Sequence, residues 1–521
     1  MNALAVDLGT TAAKVSVVAR SGKILGSGTE PVDTVFGAKR SAEQDPEDVW
    51  RAVLSAARSA LAEAGPEEAG AVRVICATSQ WSSIIPVDRN GLPVGPMLVW
   101  LDRRGENHTA AITGNDPDGG VAARAQWADV HGMSPSTSLA HILYVQRDRP
   151  DIHDRTHAYL EPADYLNARF CGRIAATGCT AMPLALTDNR AVGAAKWSAD
   201  LIDRAGVDPT KLPEIVPSLS TLAPVLASVA EQLGLRSDVM VVAGANDSVA
   251  AAIGTDALAP GRGTVIMGTT GVFTAHHPTR VVDLEKFIVT MPSALSDRFY
   301  VVAEAGLGGK VLESFLDGIV DGAVGPDGSD GLTASLPGNP FDRISAAVAD
   351  VPCGSDGLLF LPWLIGSLAP RIDGQQRGAF LGMSMRTTRA HMLRAVLEGI
   401  SLQMRWLLDE VEATLGLPFP TVRFAGGGAQ SPVWAQTMAD VLGREVEQVE
   451  GPRHANARGA GLLGFLSLGE IGVDDLGACV PIRERFIPSQ EGRALFDDRI
   501  EVFRDLHQRL AAPVSRLNVR L

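Results

Sequence analysis

Cysteine, aromatic residues and long apolar runs are all scarce in this chain. Five cysteines (Cys76, Cys171, Cys179, Cys353 and Cys479) are scattered through 521 residues with no Cys-x-x-Cys pair. Such spacing excludes a disulfide framework and a cysteine metal knuckle, and it fits buried thiols in a reducing compartment. The histidines at 131, 141, 153, 157, 276 and 277 lack metal spacing and read as surface or helix-packing residues. The longest apolar window, Leu358 to Leu368, is broken by Pro362 and is too short to span a bilayer. No basic-then-apolar signal segment opens the chain. The expectation is a cytoplasmic protein with no membrane partner. Positive charge is in deficit, 46 Lys and Arg against 60 Asp and Glu, for a net −14. That argues against nucleic acid as the main partner but not against nucleotides, which local amides, lysines and metal can hold. Two familiar phosphate signatures are absent: no Gly-x-Gly-x-x-Gly follows the first strand, and no Gly-x-x-x-x-Gly-Lys-[Ser/Thr] occurs.

Glycine, by contrast, is abundant: 54 residues against 31 prolines, which points to many tight turns. The length suits two domains of roughly 250 residues rather than one core. The opening stretch sets the pattern. An apolar run from Ala3 to Val6 predicts a strand that delivers Asp7 to a turn at Gly9, Thr10 and Thr11; a second run, Ala12 to Val18, follows. This is hairpin grammar. A buried strand ending in a carboxylate, with hydroxyls and amides beside it, also suits a phosphate–metal complex. A third short β segment ends near Thr29. Asp45 then caps a helix with Pro46 in its first turn, running to about Ala64, and a strand follows over Val72–Ala77.

Three later stretches carry chemistry. Gln80-Trp81-Ser82-Ser83 follows a strand and offers amide, indole and hydroxyl groups as a polyol-binding rim. Trp100 and Asp102 lie at a second apolar-to-charged transition. Gly244-Ala245-Asn246-Asp247-Ser248 joins a strand to a small-residue helix, where Asp247 reads either as a helix cap or as a carboxylate aimed into a crevice. Near the midpoint the opening grammar returns: Thr264–Met267, then Gly268-Thr269-Thr270-Gly271, then Val272–Ala275. This internal repeat predicts two related domains, each presenting a hydroxyl-and-amide hairpin to one phosphate chain. Residues 304–310 read as the opening of a helix reaching Phe315. A long helix covers about Thr388 to Leu415 and buries Met392, Val396, Ile400 and Met404. In Gly426-Gly427-Gly428-Ala429-Gln430 a strand enters a triple-glycine bend, against which a flat base or ribose can lie, and Ser431 caps the helix beyond it. The tail after the helix at Ala455–Leu466 shows no catalytic signal.

With DLGTT, EQDP, VWLDRR, GANDSVAAAIG, GTTGV, LLFLPWLIG and FAGGGAQSPVWAQTMADVLG in this order, residues 3–470 resemble the FGGY family of carbohydrate kinases. The resemblance implies an α/β fold: two ribonuclease-H-like domains of the actin/sugar-kinase/Hsp70 superfamily with an interdomain cleft closing on sugar and ATP–Mg2+. It places a sugar-binding domain with the catalytic base at 1–255, an ATP-binding domain at 256–475 and a C-terminal extension packed on the fold at 476–521. Carried across, Asp7 resembles the acidic residue at the magnesium, and Thr10, Thr11 and Lys14 face the transferred phosphate. Asp247 resembles the general base. Gly268, Thr269 and Thr270 resemble the second phosphate hairpin, and Gly427, Gly428, Ala429 and Gln430 the adenosine turn. Gln80, Trp81, Ser82, Trp100, Asp102, Asn246 and Asp247 fall at substrate positions. The implied reaction is ATP-dependent phosphorylation of a primary hydroxyl, with D-xylulose the first candidate. Other ketopentoses, polyols, gluconate and glycerol remain open, as do a non-catalytic sensor and a chaperone-like ATPase on the same fold. A homodimer is a candidate assembly. The match is poorest at the substrate loop: Gln80-Trp81-Ser82 stands where xylulokinases carry Gln-Met-His and glycerol kinases Gln-Arg-Glu, and Ser367 and Leu368 replace the usual Glu and Thr.

Overall fold

The computed structural model describes residues 1–114, 121–135, 137–317, 333 and 340–518. Counting only strands of the two large sheets, the first half holds β1 (Asn2–Leu8), β2 (Ala12–Ala19), β3 (Ile24–Pro31), β4 (Val72–Ser79), β5 (Thr221–Pro224) and β6 (Met240–Val242). They form a six-stranded sheet in the order β5-β6-β4-β1-β2-β3. Every residue of β1 is buried, as befits a central strand covered on both faces. The β1–β2 hairpin pairs Asp7 with Lys14, while the parallel β1–β4 pairing sets Asp7 beside Thr78. Helix α1 (Pro46–Ala64) starts where Asp45 accepts a hydrogen bond from the Glu47 amide with Pro46 in the first turn, and it buries Val49, Trp50, Val53 and Leu61 over one sheet face. Helix α2 (Pro162–Cys171) packs beside it, its Phe170 edge-on to Trp50, and α3 (Asp247–Gly254) follows β6.

The second half repeats the plan. Its strands are β7 (Arg262–Met267), β8 (Thr270–His277), β9 (Val282–Asp283), β10 (Ile288–Pro292), β11 (Phe299–Leu307), β12 (Thr421–Ala425), β13 (Glu445–Val449) and β14 (Ile482–Phe486). Helices α4 (Gly309–Phe315), α5 (Arg389–Leu415), α6 (Pro432–Leu442), α7 (Ala455–Ser467) and α8 (Gln490–Leu517) cover them. The eight-stranded order is β9-β10-β11-β8-β7-β12-β13-β14. The run β11-β8-β7-β12-β13 therefore matches β3-β2-β1-β4-β6, antiparallel within each hairpin and parallel beyond it. This is a doubled α/β unit.

Several boundaries differ from the sequence expectation. Residues 304–307 belong to β11, not to a helix. Glu304 pairs with Val272 and Leu307 with Thr270, and only Gly309 begins α4. Residues 482–486 extend the C-terminal sheet, and α8 sets Phe496, Ile500 and Phe503 against Trp363 and Trp406. Strand β14 and helix α8 are thus built into the second half. Helix α7 follows the second half's strands in the chain, yet its Ala457, Ala460, Leu463 and Phe465 share a core with Ala3, Ala5 and Val74 of the first sheet. It crosses α3 at near backbone contact. A Cβ on Gly254 would sit 1.9 Å from the Ala455 carbonyl oxygen, and one on Gly459 would sit 1.7 Å from that of Ala250. Only glycine fits there.

Candidate active site

The parallel strands β1, β4 and β6 end on the same edge of the first sheet, where ligands of open α/β sheets gather. Asp7 closes β1. Its Oδ1 accepts a hydrogen bond from Asn456 Nδ2 at 3.3 Å, and its Oδ2 lies 4.0 Å from the half-exposed Lys14 ammonium. Burial pushes the Asp7 carboxyl above the ordinary range, against the opposing pull of Lys14 and Asn456. Asp247 arrives in the first turn of α3. Burial, followed by the negative charge of Asp7, pushes its carboxyl up to about 7. Ser248 Oγ donates to Asp247 Oδ1 at 3.2 Å. A carboxylate poised near neutrality can accept a proton at working pH.

The cap of α3 is Asn246, not Asp247 or Ser248. Asn246 Oδ1 accepts from the Val249 amide at 3.0 Å, and its Nδ2 donates to the Cys179 carbonyl at 3.2 Å. Asn246 thereby frees Asp247 from capping. Asp102 is similarly committed: its carboxylate accepts from the Ala42 amide at 2.9 Å and from Arg104 Nη2 at 2.6 Å, and it is 1 % exposed. Glu43 also lies 2.6 Å from that guanidinium. Arg104 holds the Asp102 carboxyl below the usual range despite burial, whose opposing effect is the largest single influence.

The first hairpin and the polar rim are joined. Thr10 Oγ1 donates to Gln80 Oε1 and accepts from Trp100 Nε1 at 3.0 Å. Gln44 Nε2 secures the Thr10 carbonyl at 2.6 Å. Gln80 Nε2 is buried with no partner among the described residues, so the rim keeps an unspent donor. Ser82 holds a left-handed φ of 60° and Trp81 packs partly inward, while Trp100 is 42 % exposed. Thr11 is exposed at the hairpin tip.

In the second hairpin the Gly268 amide donates to the Thr270 carbonyl at 3.0 Å. The exposed Thr269 receives the Gly308 amide on its own carbonyl, which seats the start of α4 on this turn. Gly426 turns at φ 89° and lies so near Met267 that a Cβ would be 2.6 Å from its carbonyl oxygen. Gly427 and Gly428 line a cavity, whereas Ala429 is fully buried, its carbonyl taken by Gln448. Gln430 folds back onto the Gly427 carbonyl at 3.1 Å.

Two cavities adjoin here. A polar one of about 620 Å3 brings Asp7, Lys14, Gly268 and Gly427 together with His454 and Asn456. A second, of about 400 Å3, runs between Gly268, Gly427 and Gly428 and the apolar side chains Leu312, Leu316, Phe341 and Ile344. Sequence reasoning missed the 452–456 turn and this apolar wall. The signal for the turn was present: strand β13, turn, α7 repeats strand β6, turn, α3, so 452–456 is the counterpart of the segment carrying Asp247. No such pattern marked Phe341 or Ile344. Among the described residues no cluster of three His, Cys, Asp or Glu side chains forms a metal cage. Mg2+ does not need one, since it commonly binds through one or two carboxylates plus phosphate oxygens and water, and the Asp7 carboxylate at the polar cavity fits that role.

The sequence matches the FGGY family of carbohydrate kinases, N-terminal domain, over residues 2–254, and the C-terminal domain of the same family over residues 263–468. A xylulose kinase of Lactococcus lactis subsp. lactis (strain IL1403) is 28 % identical over 451 residues, covering 85 % of this chain and 83 % of its own. A gluconokinase of Bacillus subtilis (strain 168) is 26 % identical over 470 residues, with 90 % and 88 % covered. The ligand-bound xylulose kinase from Lactobacillus acidophilus superposes with a TM-score of 0.82 at 20 % identity, 99 % of each chain being covered. At that identity the likeness speaks for the fold.

Proposed function

The chain belongs to the FGGY family of carbohydrate kinases, and from that premise we propose that it phosphorylates a primary hydroxyl of a neutral ketopentose, D-xylulose first. It is an ATP-dependent sugar or polyol kinase. The observation that carries the site assignment is that Asp7 and Lys14 of the first hairpin and Gly268 and Gly427 of the second half line one polar cavity, with Asp247 near enough for the charge of Asp7 to raise its carboxyl. Asp247 accepts the proton of the attacking hydroxyl and orients its oxygen. A sugar hydroxyl becomes acidic only as its bond to phosphorus forms, so a carboxylate in hydrogen-bond reach suffices. Ser248 steadies one oxygen of that carboxylate, and the Asn246 cap fixes the helix that aims it. Mg2+–ATP bound in the cleft supplies the transferable phosphoryl group and neutralises its charge. Asp7 holds the metal side, Lys14 and the Thr10–Thr11 and Thr269–Thr270 turns face the phosphates, and the apolar cavity beside Gly427 and Gly428 takes the base. Domain closure excludes water, which limits ATP hydrolysis.

A neutral substrate is favoured over a sugar acid by the rim itself. Gln80, Trp81, Ser82, Ser83 and Trp100 carry no charge, and the nearby Arg104 is already neutralised by Asp102 and Glu43. Among the described residues of this rim, an aldonate carboxylate would find no unpaired cation. The test is coupled ADP release across D-xylulose, other pentuloses, pentitols, glycerol and gluconate. The expected result is the highest kcat/KM with a pentulose. Preference for gluconate or glycerol refutes the substrate, and ADP release independent of every sugar refutes the kinase assignment.

A further inference from the structure

The polar and the apolar cavity share three lining residues, Gly268, Gly427 and Arg453. Two of these have no side chain. A nucleotide with its base in the apolar cavity and its terminal phosphates beside Asp7 and Lys14 must thread between the two glycines, past Arg453. That arginine stands in the turn Pro452–His454 just before α7 and is exposed, its guanidinium carbon 5.8 Å from the centre of the Phe341 ring. Among the described residues no carboxylate lies within ion-pair distance of it. Its charge is therefore not cancelled within the fold, unlike that of Arg104, Arg262, Arg423 and Arg444, which all have carboxylate partners.

We propose that Arg453 is a nucleotide-binding residue whose planar fork grips the phosphate nearest the ribose as the chain passes from one cavity to the other. The reading rests on the nucleotide placement given above and adds a second cation, from the 452–456 turn, to the polar cavity that Lys14 also lines. The division of labour follows from the side chains. A lysine is a point charge suited to a phosphate that departs, while a guanidinium binds two oxygens at fixed geometry and suits one that stays. The Arg453 guanidinium lies over the face of Phe341, which lines the apolar cavity, so the charge stands where the two cavities meet. A base alone would make no use of the fork, so Arg453 distinguishes nucleotides from nucleosides.

Calorimetric titration of adenosine, AMP and ADP into the wild-type protein and into Arg453→Met and Arg453→Lys tests this. Methionine keeps an unbranched apolar side chain and removes the charge. The expected result for Arg453→Met is a loss of about tenfold or more in ADP affinity, with adenosine changed less than about twofold and Arg453→Lys in between. In turnover, KM for ATP rises while KM for the sugar stays. Unchanged ADP affinity in Arg453→Met overturns the proposal, and so does a loss for adenosine as large as that for ADP, which would leave Arg453 only a cover for Phe341. A wild-type protein that binds no ADP would overturn the nucleotide placement itself, a different outcome from either.

Discussion

Replacing Asp247 by asparagine separates catalysis from stability, because the same burial that raises the carboxyl of this proposed base strains the fold. The carboxyl is moved from 3.8 to about 7, first by burial and then by Asp7. A carboxyl whose folded value is raised favours its protonated form in the native state, so ionisation costs folding free energy at high pH. That cost disappears as pH falls through 7 toward the unfolded value. Each tenfold change in proton affinity is worth about 1.4 kcal/mol, which gives at most about 4 kcal/mol above pH 8. Water in the open cleft screens the charge and leaves about 1–2 kcal/mol as the working figure. Asparagine keeps the shape and the Ser248 contact without the charge. Asp247→Asn is therefore expected to melt about 1–2 °C higher than wild type at pH 8.5, with the gap more than halved near pH 5 and closed only below about pH 4. Sugar-dependent turnover is expected to fall by about a thousandfold, with ADP affinity little changed. Scanning calorimetry across that pH range and the coupled assay measure both. A melting gap that does not change with pH would refute the burial argument, and near-normal turnover would refute the assignment of Asp247 as the base.

Three further outcomes follow from the geometry. Trp100→Phe removes the indole donor to Thr10 at 3.0 Å, a loss of about 1 kcal/mol. It is expected to lower kcat/KM for the sugar about fivefold, and an unchanged value would detach Trp100 from the substrate rim. Gly459→Ala places a methyl where an ideal Cβ would be 1.7 Å from the Ala250 carbonyl oxygen. Urea denaturation should show a loss of about 2–4 kcal/mol, and an unchanged midpoint would contradict the close crossing. Chelation with EDTA is expected to abolish turnover yet leave the melting temperature of the nucleotide-free protein unchanged, since no three-ligand cage among the described residues ties metal to folding. A drop in that temperature would reveal a structural metal.

Much of the fold was legible because its signals are local. The hairpin at residues 2–19, the Asp45–Pro46 helix start and the second hairpin at 262–277 each declare themselves within fewer than twenty residues. The repeat then implied the doubled architecture. What stayed hidden depends on distant partners. Asn456 meets Asp7 from 449 positions away, and nothing in the sequence around either one encodes that contact. Glu304–Leu307 read as part of a helix start, yet pairing with Val272 and Thr270 holds it as a strand. Asp102 and Asn246 were legible as polar residues in the right places, but their hydrogen-bond commitments belong to the packed state.

The position of α7 bears on how the protein can be divided. Its chain lies among the second half's elements, but its apolar face completes the core beneath Ala3, Ala5 and Val74. A fragment ending at the midpoint would leave that sheet face bare, and the remaining fragment would carry an apolar helix with nothing to cover it. The two halves repeat one another in topology but are not separable folding units. Co-expressed fragments should find each other through this exchange, and neither should be soluble alone. Whatever duplication produced the repeat, the present molecule is sewn shut by one thirteen-residue stitch.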